Sequence, residues 1–374
     1  MPITLDDLRR FTVARSLFAP TTLKDALHRF VFVQADPIRA PARAQDLTLR
    51  PRVKDYRAGD LERHYADLGI EEDFFINYGF VTRELHALMH PRIRGVRNPA
   101  EQYDNPWRAA RWPAGKRKRA EAILEFVQGR GSVHPREVDE HFAHGKVKNY
   151  WGGSSNASTH LLDAMHYSGM LRVARRDGGI RIYAGHQHGP APLDATEHRT
   201  RIDAMVDIVV NIYAPLPASS LSYVVRRLRY AAPQWLDELK AALARAKERL
   251  AHAKIGNIEW YWPADEDPTR GPSRNSVHLL TPFDPIVWDR DRFELLWGWT
   301  YRFEAYTPPA KRVRGYYALP LLWRDRVIGW ANLSVKGGEL VSELGYVKTP
   351  PREAAFKREL AAELDRMRVF LRLL

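Results

Sequence analysis

Leu5, Leu8 and Phe11, with Val13 and Leu17 near the same face, recur at helical spacing behind Thr4, a residue suited to cap a helix. The spacing predicts a helix over 5–17, and Leu23, Ala26, Leu27 and Phe30 predict a second over 22–30. An apolar run, Phe32-Val33, then steps into Gln34-Ala35-Asp36-Pro37-Ile38, ahead of a third helical piece from Ala58 to Tyr65. Three short helices and one extended step resemble a helix-turn-helix unit. The pattern is plainer further on. Ala120, Ile123, Leu124 and Val127 make 116–128 amphipathic, a short extended step follows at 131–135, and Arg136–Phe142 is a second helix. A third runs from Ser155 or Asn156 to Ser168 over Leu161, Leu162 and Met165. Leu171–Arg176 then alternates as a strand, Asp177-Gly178-Gly179 turns it, and Ile180–Ala184 returns. Helices followed by a basic two-stranded wing spell a winged helix.

From Thr196 a helix over Met205, Ile208, Val209 and Ile212 is broken by Ala214-Pro215-Leu216-Pro217. A helix from Leu221 to Tyr230, a long one from Pro233 to His252 and a strand over 257–262 complete a third unit of similar plan. Beyond 275 the period changes to two. Val277–Thr281, Tyr301–Tyr306, Tyr316–Trp323, Val327–Val335 and Leu340–Val347 read as strands, with tight turns at Arg324-Asp325 and Gly337-Gly338. Five short strands suggest a small barrel, and Glu353–Leu373 an amphipathic closing helix. The fold class expected is α+β, mainly helical: tandem winged-helix domains, a small C-terminal β-barrel and a terminal helix. The divisions expected are a first unit at 1–97, a linker at 98–115, further units at 116–190 and 191–270, the barrel at 271–349 and the helix at 350–374.

Composition narrows the function. The 374 residues carry 58 Lys and Arg against 45 Asp and Glu, a formal net charge of +13, which favours an anionic partner. No apolar run is long enough to span a membrane, and the N-terminus lacks the basic and apolar regions of a signal peptide, so a cytoplasmic, nucleoid-associated protein is expected. The absence of cysteine excludes disulfides, thiolate zinc sites, iron–sulfur clusters and cysteine nucleophiles. Arg108, Arg111, Lys116, Arg117, Lys118 and Arg119 cluster with Trp107 and Trp112 between them; Arg226, Arg227 and Arg229 form a second cluster, and Lys311, Arg312 and Arg314 a third. Each alone would be a solvated face; three together read as a track for phosphates.

Catalytic motifs are mostly missing. No G-x-x-x-x-G-K-[ST], G-x-G-x-x-G or G-x-S-x-G occurs. Gly152-Gly153-Ser154-Ser155 is read as the start of a helix, whose free N–H groups a DNA phosphate could use. His141-x-x-His144 and His186-Gln187-His188 lack H-E-x-x-H form, and no metal or cofactor is expected. Glu71-Glu72-Asp73 and Asp265-Glu266-Asp267 are read as solvated turns or caps. Gln34 and Asp36 remain. If the segment is extended, their side chains leave one face, an amide beside a carboxylate. Taken locally, Asp36 is a turn residue ahead of Pro37.

A resemblance changes that weighting. Val33-Gln34-Ala35-Asp36-Pro37-Ile38, then Ala42-Arg43-Ala44 and Arg52, resembles the signature of the winged-helix DNA glycosylases of the AlkZ/YcaQ type. Leu280-Thr281-Pro282-Phe283-Asp284-Pro285-Ile286-Val287-Trp288-Asp289-Arg290 is similar to a second block, continued by Tyr301-Arg302-Phe303-Glu304, Pro309-Ala310-Lys311-Arg312 and Gly315-Tyr316-Tyr317-Ala318-Leu319-Pro320. The resemblance implies a row of winged helices with a C-terminal barrel, and a catalytic motif of Gln, an apolar residue, then Gln or Asp, met by Gln34 and Asp36. It implies a monofunctional glycosylase acting on N-alkylated (N7/N3) purines in base excision repair, with interstrand cross-links among its substrates. The chain departs where many relatives carry Trp-x-His-x-Ala: Phe75-Ile76-Asn77-Tyr78-Gly79 stands there, with Asn77 in place of the histidine.

The catalytic residues expected are therefore Gln34 and Asp36, and the DNA-binding set is Asn77, Arg43, Arg52, Lys116, Arg117, Arg119, Trp151, Ser155, Asn156, Arg175, Arg176, Lys311 and Arg312. The partner expected is double-stranded DNA carrying alkylated bases or cross-links, met by a monomer away from membranes. Two other classes fit the residues: a regulatory winged-helix DNA-binding protein without catalysis, and an RNA-binding protein using exposed aromatics.

Overall fold

The structure, a computed structural model, describes residues 2–90, 114–148, 154–186, 194–271 and 275–374. The chain is a mixture of helix and antiparallel sheet and divides into two compact units, each assembled from separated stretches. Residues 1–61, 206–226 and 243–374 form one; residues 62–205 and 227–242 form the other.

In the first unit, helix Leu5–Ser16 starts at a capping box: the Asp7 N–H donates to Thr4 Oγ1 at 3.2 Å and the Thr4 N–H donates back to Asp7 at 2.8 Å. Helix Leu23–Phe30 is capped by Thr22 in the same way as its first turn needs. Strand Phe32–Gln34 and the fully buried helix Ala44–Leu49 follow, with residues 35–43 looping between them. Three strands form a sheet with Ile258–Trp262 between Ala251–Ile255 and Leu216–Pro217. The long helix expected to reach His252 ends at Arg249, because Ala251–Ile255 turns into a hairpin strand about Gly256 (φ 60°).

The barrel expected over 271–349 is corrected to an open sheet. Val277–Leu279, Leu319–Trp323, Arg326–Lys336 and Glu339–Tyr346 pair in that order, all antiparallel, and no closed barrel forms among the described residues. The turns at Arg324 and at Gly337-Gly338 take the positive φ that tight hairpins need. Tyr301–Tyr306 is irregular chain rather than a strand. Its alternation of aromatics serves packing: the Tyr301 hydroxyl donates to the Ala318 carbonyl at 2.7 Å from within a core of Val13, Leu17, Ile286, Phe293, Trp299 and Leu322. A helix not anticipated there, Arg290–Trp297, begins at the Asp289 cap and ends at Gly298 in the left-handed region.

Two buried ion pairs tie this unit together. Arg52 and Asp284 are both fully buried, with guanidinium-to-carboxylate distances of 2.8 and 3.0 Å. Arg52 also donates to the carbonyls of Ser16 at 2.7 Å and Thr48 at 2.5 Å, and its charge lies 4.9 Å from the Phe30 ring centre. Arg50 pairs with Glu363 of the terminal helix Ala354–Phe370, and Glu363 also accepts the Leu279 N–H at 2.8 Å. Burial alone would raise the Glu363 carboxyl, but Arg50, His278 and Arg366 hold it below its usual value.

The second unit opens with an antiparallel hairpin, Ile70–Phe74 and Tyr78–Thr82, leading into helix Arg83–Met89. Helices Ala114–Arg130, Pro135–Phe142 and Ala157–Tyr167 follow, and Leu171–Asp177 with Ile180–Gly185 forms the expected wing, joined by Ser132–Val133 at the far edge of Ile180–Gly185. Pro135 sits in the first helical turn, where its missing N–H costs nothing, behind His134 and Glu137 as a capping pair.

One pH effect on stability follows. Burial pushes the His278 imidazole down from 6.5 to about 4, with Arg50, Arg366 and Arg52 adding to the effect against Glu363. Between those values the unfolded chain binds a proton that the folded chain refuses, so stability is full above about 6.5 and falls as pH drops toward 4. Calorimetric melting at pH 7.5 and 5 should show this fall, and His278→Gln should make the difference smaller.

Candidate active site

Strand Phe32–Gln34 buries Phe32 and Val33 and leaves Gln34 half-buried at its end; Asp36 is half-buried two residues on. Asp36 Oδ1 accepts the Ile38 N–H at 2.9 Å, closing a turn around Pro37. The local reading of Asp36 as a turn residue is thus met by one oxygen of its carboxylate. The Asp36 N–H donates in turn to Oε1 of the buried Gln45 at 3.4 Å, a long bond that ties the loop to helix Ala44–Leu49.

The electrostatics of Asp36 go beyond a turn. Burial raises its carboxyl above the usual value, and the Ile38 N–H is the one opposing influence; no cation among the described residues offsets the burial. Two tyrosines feel its charge. Burial first, then Asp36 among the charges, raises both the Tyr306 and the Tyr317 hydroxyl. Tyr317 is buried with its hydroxyl 3.2 Å from Thr281 Oγ1, and its ring meets Phe303 edge-on at 5.3 Å and Phe283 at 6.4 Å. Tyr306, by contrast, is 68% exposed. Asp36 is thus a partly desolvated carboxylate on a loop tied to Gln45, and its charge bears on a buried and an exposed tyrosine of the same unit.

The other predicted residues fall into distinct places. Lys116, Arg117, Arg119, Arg175 and Lys311 are exposed, although Arg117 pairs with Glu121 at 3.0 Å. Arg312 is half-buried, donates to the Thr307 carbonyl at 2.8 Å and stacks 5.0 Å from the Tyr316 ring. Arg43 caps helix Ala44–Leu49 by position and bears on Asp46, whose carboxyl burial raises while Tyr56, Gly59 and Arg43 lower it. Asn156 donates to Asp139 at 2.7 Å, and the backbone of Ser155 pairs with Val147. Trp151 lies outside the described residues, as do the expected linker from 98 to 113 and His188. Asn77 sits at the hairpin tip, its Oδ1 accepting from Arg227, which also donates to the Ile76 carbonyl at 2.7 Å.

Three expectations need correction. Arg52 is fully buried and spent on Asp284, Ser16 and Thr48, so it has no surface to offer a phosphate. Arg176 is spent on Glu72, with bonds of 2.7 and 2.6 Å. Glu71, Glu72 and Asp73 are buried on a hairpin strand, not solvated. Burial would raise the Glu72 carboxyl, but the Arg176 fork, with Arg181 and the Tyr78 hydroxyl, brings it down to about 2. Arg172 grips Glu71 likewise at 2.6 Å. By contrast Asp267 is an exposed cap for Thr269 and Glu266 an ion-pair partner of Arg15, as that second acidic run was read. His141 stacks on Phe126 at 4.5 Å and His144 on Phe142 at 5.4 Å, packing roles for that pair.

Sequence reasoning did not connect Gln45, Tyr306 or Tyr317 with Asp36. Tyr317 stands in the Gly315–Pro320 run that carried the resemblance, and that was the one signal present.

A basic mixed fold of this kind is shared with a DNA glycosylase. Streptomyces sahachiroi DNA glycosylase AlkZ matches with a TM-score of 0.65 and 14% sequence identity, over 99% of this chain and 97% of that one. The family model described as DNA glycosylase AlkZ-like matches residues 27–370, and the chain belongs to the AlkZ-like DNA glycosylase family. Membership makes it a DNA glycosylase of repair, acting on DNA. No helix among the described residues is long and apolar enough to cross a membrane.

The uncompensated carboxylate should cost stability. A carboxyl with a raised folded pKa binds its proton more tightly folded than unfolded, so ionised Asp36 destabilises the fold at neutral pH. Asp36→Asn keeps the shape and removes the charge, and should raise Tm at pH 7 by roughly 1–3 °C in calorimetry.

Proposed function

We propose that the protein is a monofunctional DNA glycosylase that hydrolyses the N-glycosidic bond of N-alkylated purines, with cross-linked purines among its substrates. Supporting this most directly is Asp36: a desolvated carboxylate that turns one oxygen to its own loop and has no compensating cation among the described residues. Such a group is costly until a positive charge arrives, and an N7-alkylated purine brings one.

The chemistry runs in a simple sequence. The alkylated base is cationic and departs with the electrons of the C1′–N bond, needing no acid. That leaves an oxocarbenium-like sugar, which Asp36 would stabilise by charge, as a carboxylate does in glycoside hydrolysis. Water then bonds to C1′ and its proton passes to Asp36 and on to solvent. Gln34, at the end of the strand before Asp36, would hold that water or the sugar by hydrogen bonds. No amine nucleophile is required, so the product is an abasic site with the strand intact. Tyr306, Lys311 and Tyr316, exposed in the same unit as Asp36, would offer aromatic and cationic contacts to the DNA around the lesion. We read the helices and wing of 114–185 as a winged helix that binds duplex DNA through Lys116, Arg117, Arg119 and Arg175, and the protein as a cytoplasmic monomer.

Base release from duplex carrying N7-methylguanine should fall by about 100-fold or more in Asp36→Asn, with duplex affinity within a few-fold of wild type. Equal release by the two proteins would remove Asp36 from the chemistry. Because burial raises the Asp36 carboxyl, release should decline on the acid side at a pH above that of an ordinary aspartate.

Affinity for undamaged duplex tests the phosphate contacts separately. It should weaken by about 10-fold or more between roughly 50 and 200 mM salt. Arg175→Ala and Lys311→Ala should each flatten that slope; a salt-independent affinity would sink the electrostatic reading.

A further inference from the structure

Helix Arg83–Met89 carries His86, and His90 follows at its C-terminal cap, four residues on, so both imidazoles lie on one side. They meet Asp73 from the adjoining strand Ile70–Phe74. Asp73 Oδ1 accepts the Phe74 N–H at 2.7 Å, which fixes the carboxylate, while Oδ2 lies 2.7 Å from His90 Nε2 and 3.3 Å from His86 Nε2. All three side chains are buried: Asp73 is 2% exposed, His90 4% and His86 8%. The His86 and His90 rings stack at 4.2 Å, and a third imidazole, His186, stacks on them at 4.9 and 5.7 Å.

We propose that Asp73, His86 and His90 form a binding site for a divalent transition-metal ion of the zinc type, outside the residues assigned to base excision. One donor atom from each of the three lies within 4.8 Å of the other two. Tetrahedral ligation with bonds of about 2.0–2.2 Å places ligand atoms about 3.3 Å apart. The His86–Asp73 separation already has that value, and the His90–Asp73 pair needs to open by about half an ångström, a side-chain movement. Two imidazoles and one carboxylate suit zinc, and disfavour magnesium and calcium, which take oxygen ligands.

Hydrogen bonding alone is a poorer account of the cluster. It leaves two imidazole nitrogens converging on one carboxylate oxygen from stacked rings, with a third imidazole against them. A cation between the two nitrogens and the oxygen gives all three one shared partner. The ion would clamp helix Arg83–Met89 to the hairpin whose tip carries Asn77. Arg201 already holds the same helix end by donating to the Ala87 and His90 carbonyls at 3.2 and 2.8 Å.

The full-length protein, stripped with EDTA and dialysed, should be titrated with Co(II) and then with Zn(II). One equivalent of Co(II) should bind with ligand-field absorption typical of nitrogen and oxygen donors, and Zn(II) should displace it. Zn(II) should raise the Tm of the stripped protein by at least about 3 °C. His86→Gln and His90→Gln should each weaken binding by more than about 100-fold, while His144→Gln leaves it unchanged. Circular dichroism checks that the variants fold, and the wild-type titration decides the matter without them. Absence of stoichiometric Co(II) binding by the wild type overturns the proposal. So does binding that survives both His86→Gln and His90→Gln unaltered.

Discussion

The pairing of Arg52 with Asp284 is the constraint on which the first unit depends. It joins residues 232 positions apart, both without exposed surface. A guanidinium in that position is tolerable only because its donors are met: two by the carboxylate, and others by the Ser16 and Thr48 carbonyls. Removing either partner alone would strand a buried charge, at a cost of about 3–5 kcal/mol. The same bonds fix the surroundings of Asp36. Thr48 belongs to the helix after its loop, and Phe30, over which Arg52 lies, to the helix before it. Asp284 also accepts the Ile286 N–H at 3.0 Å, and so orders the start of the segment that leads on to helix Arg290–Trp297.

Carboxylates in this protein show what it means for one to be spent. Glu72 and Glu363 are fully buried, yet both are held below their ordinary values by arginines gripping both oxygens. Asp46 is raised by burial, but it accepts from the Tyr56 hydroxyl at 2.7 Å and the Gly59 N–H at 3.0 Å and has Arg43 nearby. Each has a structural occupation that accounts for its presence. Asp36 has its own turn and nothing more among the influences on its charge. A partly buried carboxylate whose charge is offset by one backbone N–H alone is the feature that points to a function, since natural sequences otherwise discard such costs.

Much of the fold was legible because it is local. Capping at Thr4, the amphipathic helix over Ala120, Ile123 and Val127, and the wing turned at Gly178-Gly179 all depend on residues within a few positions of one another. The Gln34–Asp36 stretch was legible as a pattern, and of its local readings the turn at Asp36 is formed. What stayed hidden depends on long-range burial. Alternation in Tyr301–Tyr306 looks like a strand, yet it packs a core without pairing. An acidic run such as Glu71-Glu72-Asp73 reads as surface until the arginines of the wing, about a hundred positions later, are known to reach it. The histidine–aspartate cluster hid for the same reason, since its ligands come from a strand and a helix with no shared motif.

The same pairing changes how the net charge should be read. The sequence carries an excess of 13 cations, and its three basic clusters are expected to form a phosphate track. Yet Arg52, Arg172 and Arg176 are bound to carboxylates inside their own units, and Arg227 holds a hairpin tip. Neutralised cations contribute little to the field outside the protein, because each pair is a dipole whose potential falls quickly with distance. The excess therefore resides on the exposed residues that have no such partner. Clustering along the sequence is a poor guide to which these are: Arg175 and Arg176 are neighbours, and one faces solvent while the other is locked to Glu72. Alternation in the wing strand makes that choice, sending successive side chains to opposite faces. The hairpin's carboxylates thus set which arginines of that strand keep their charge unpaired by a carboxylate.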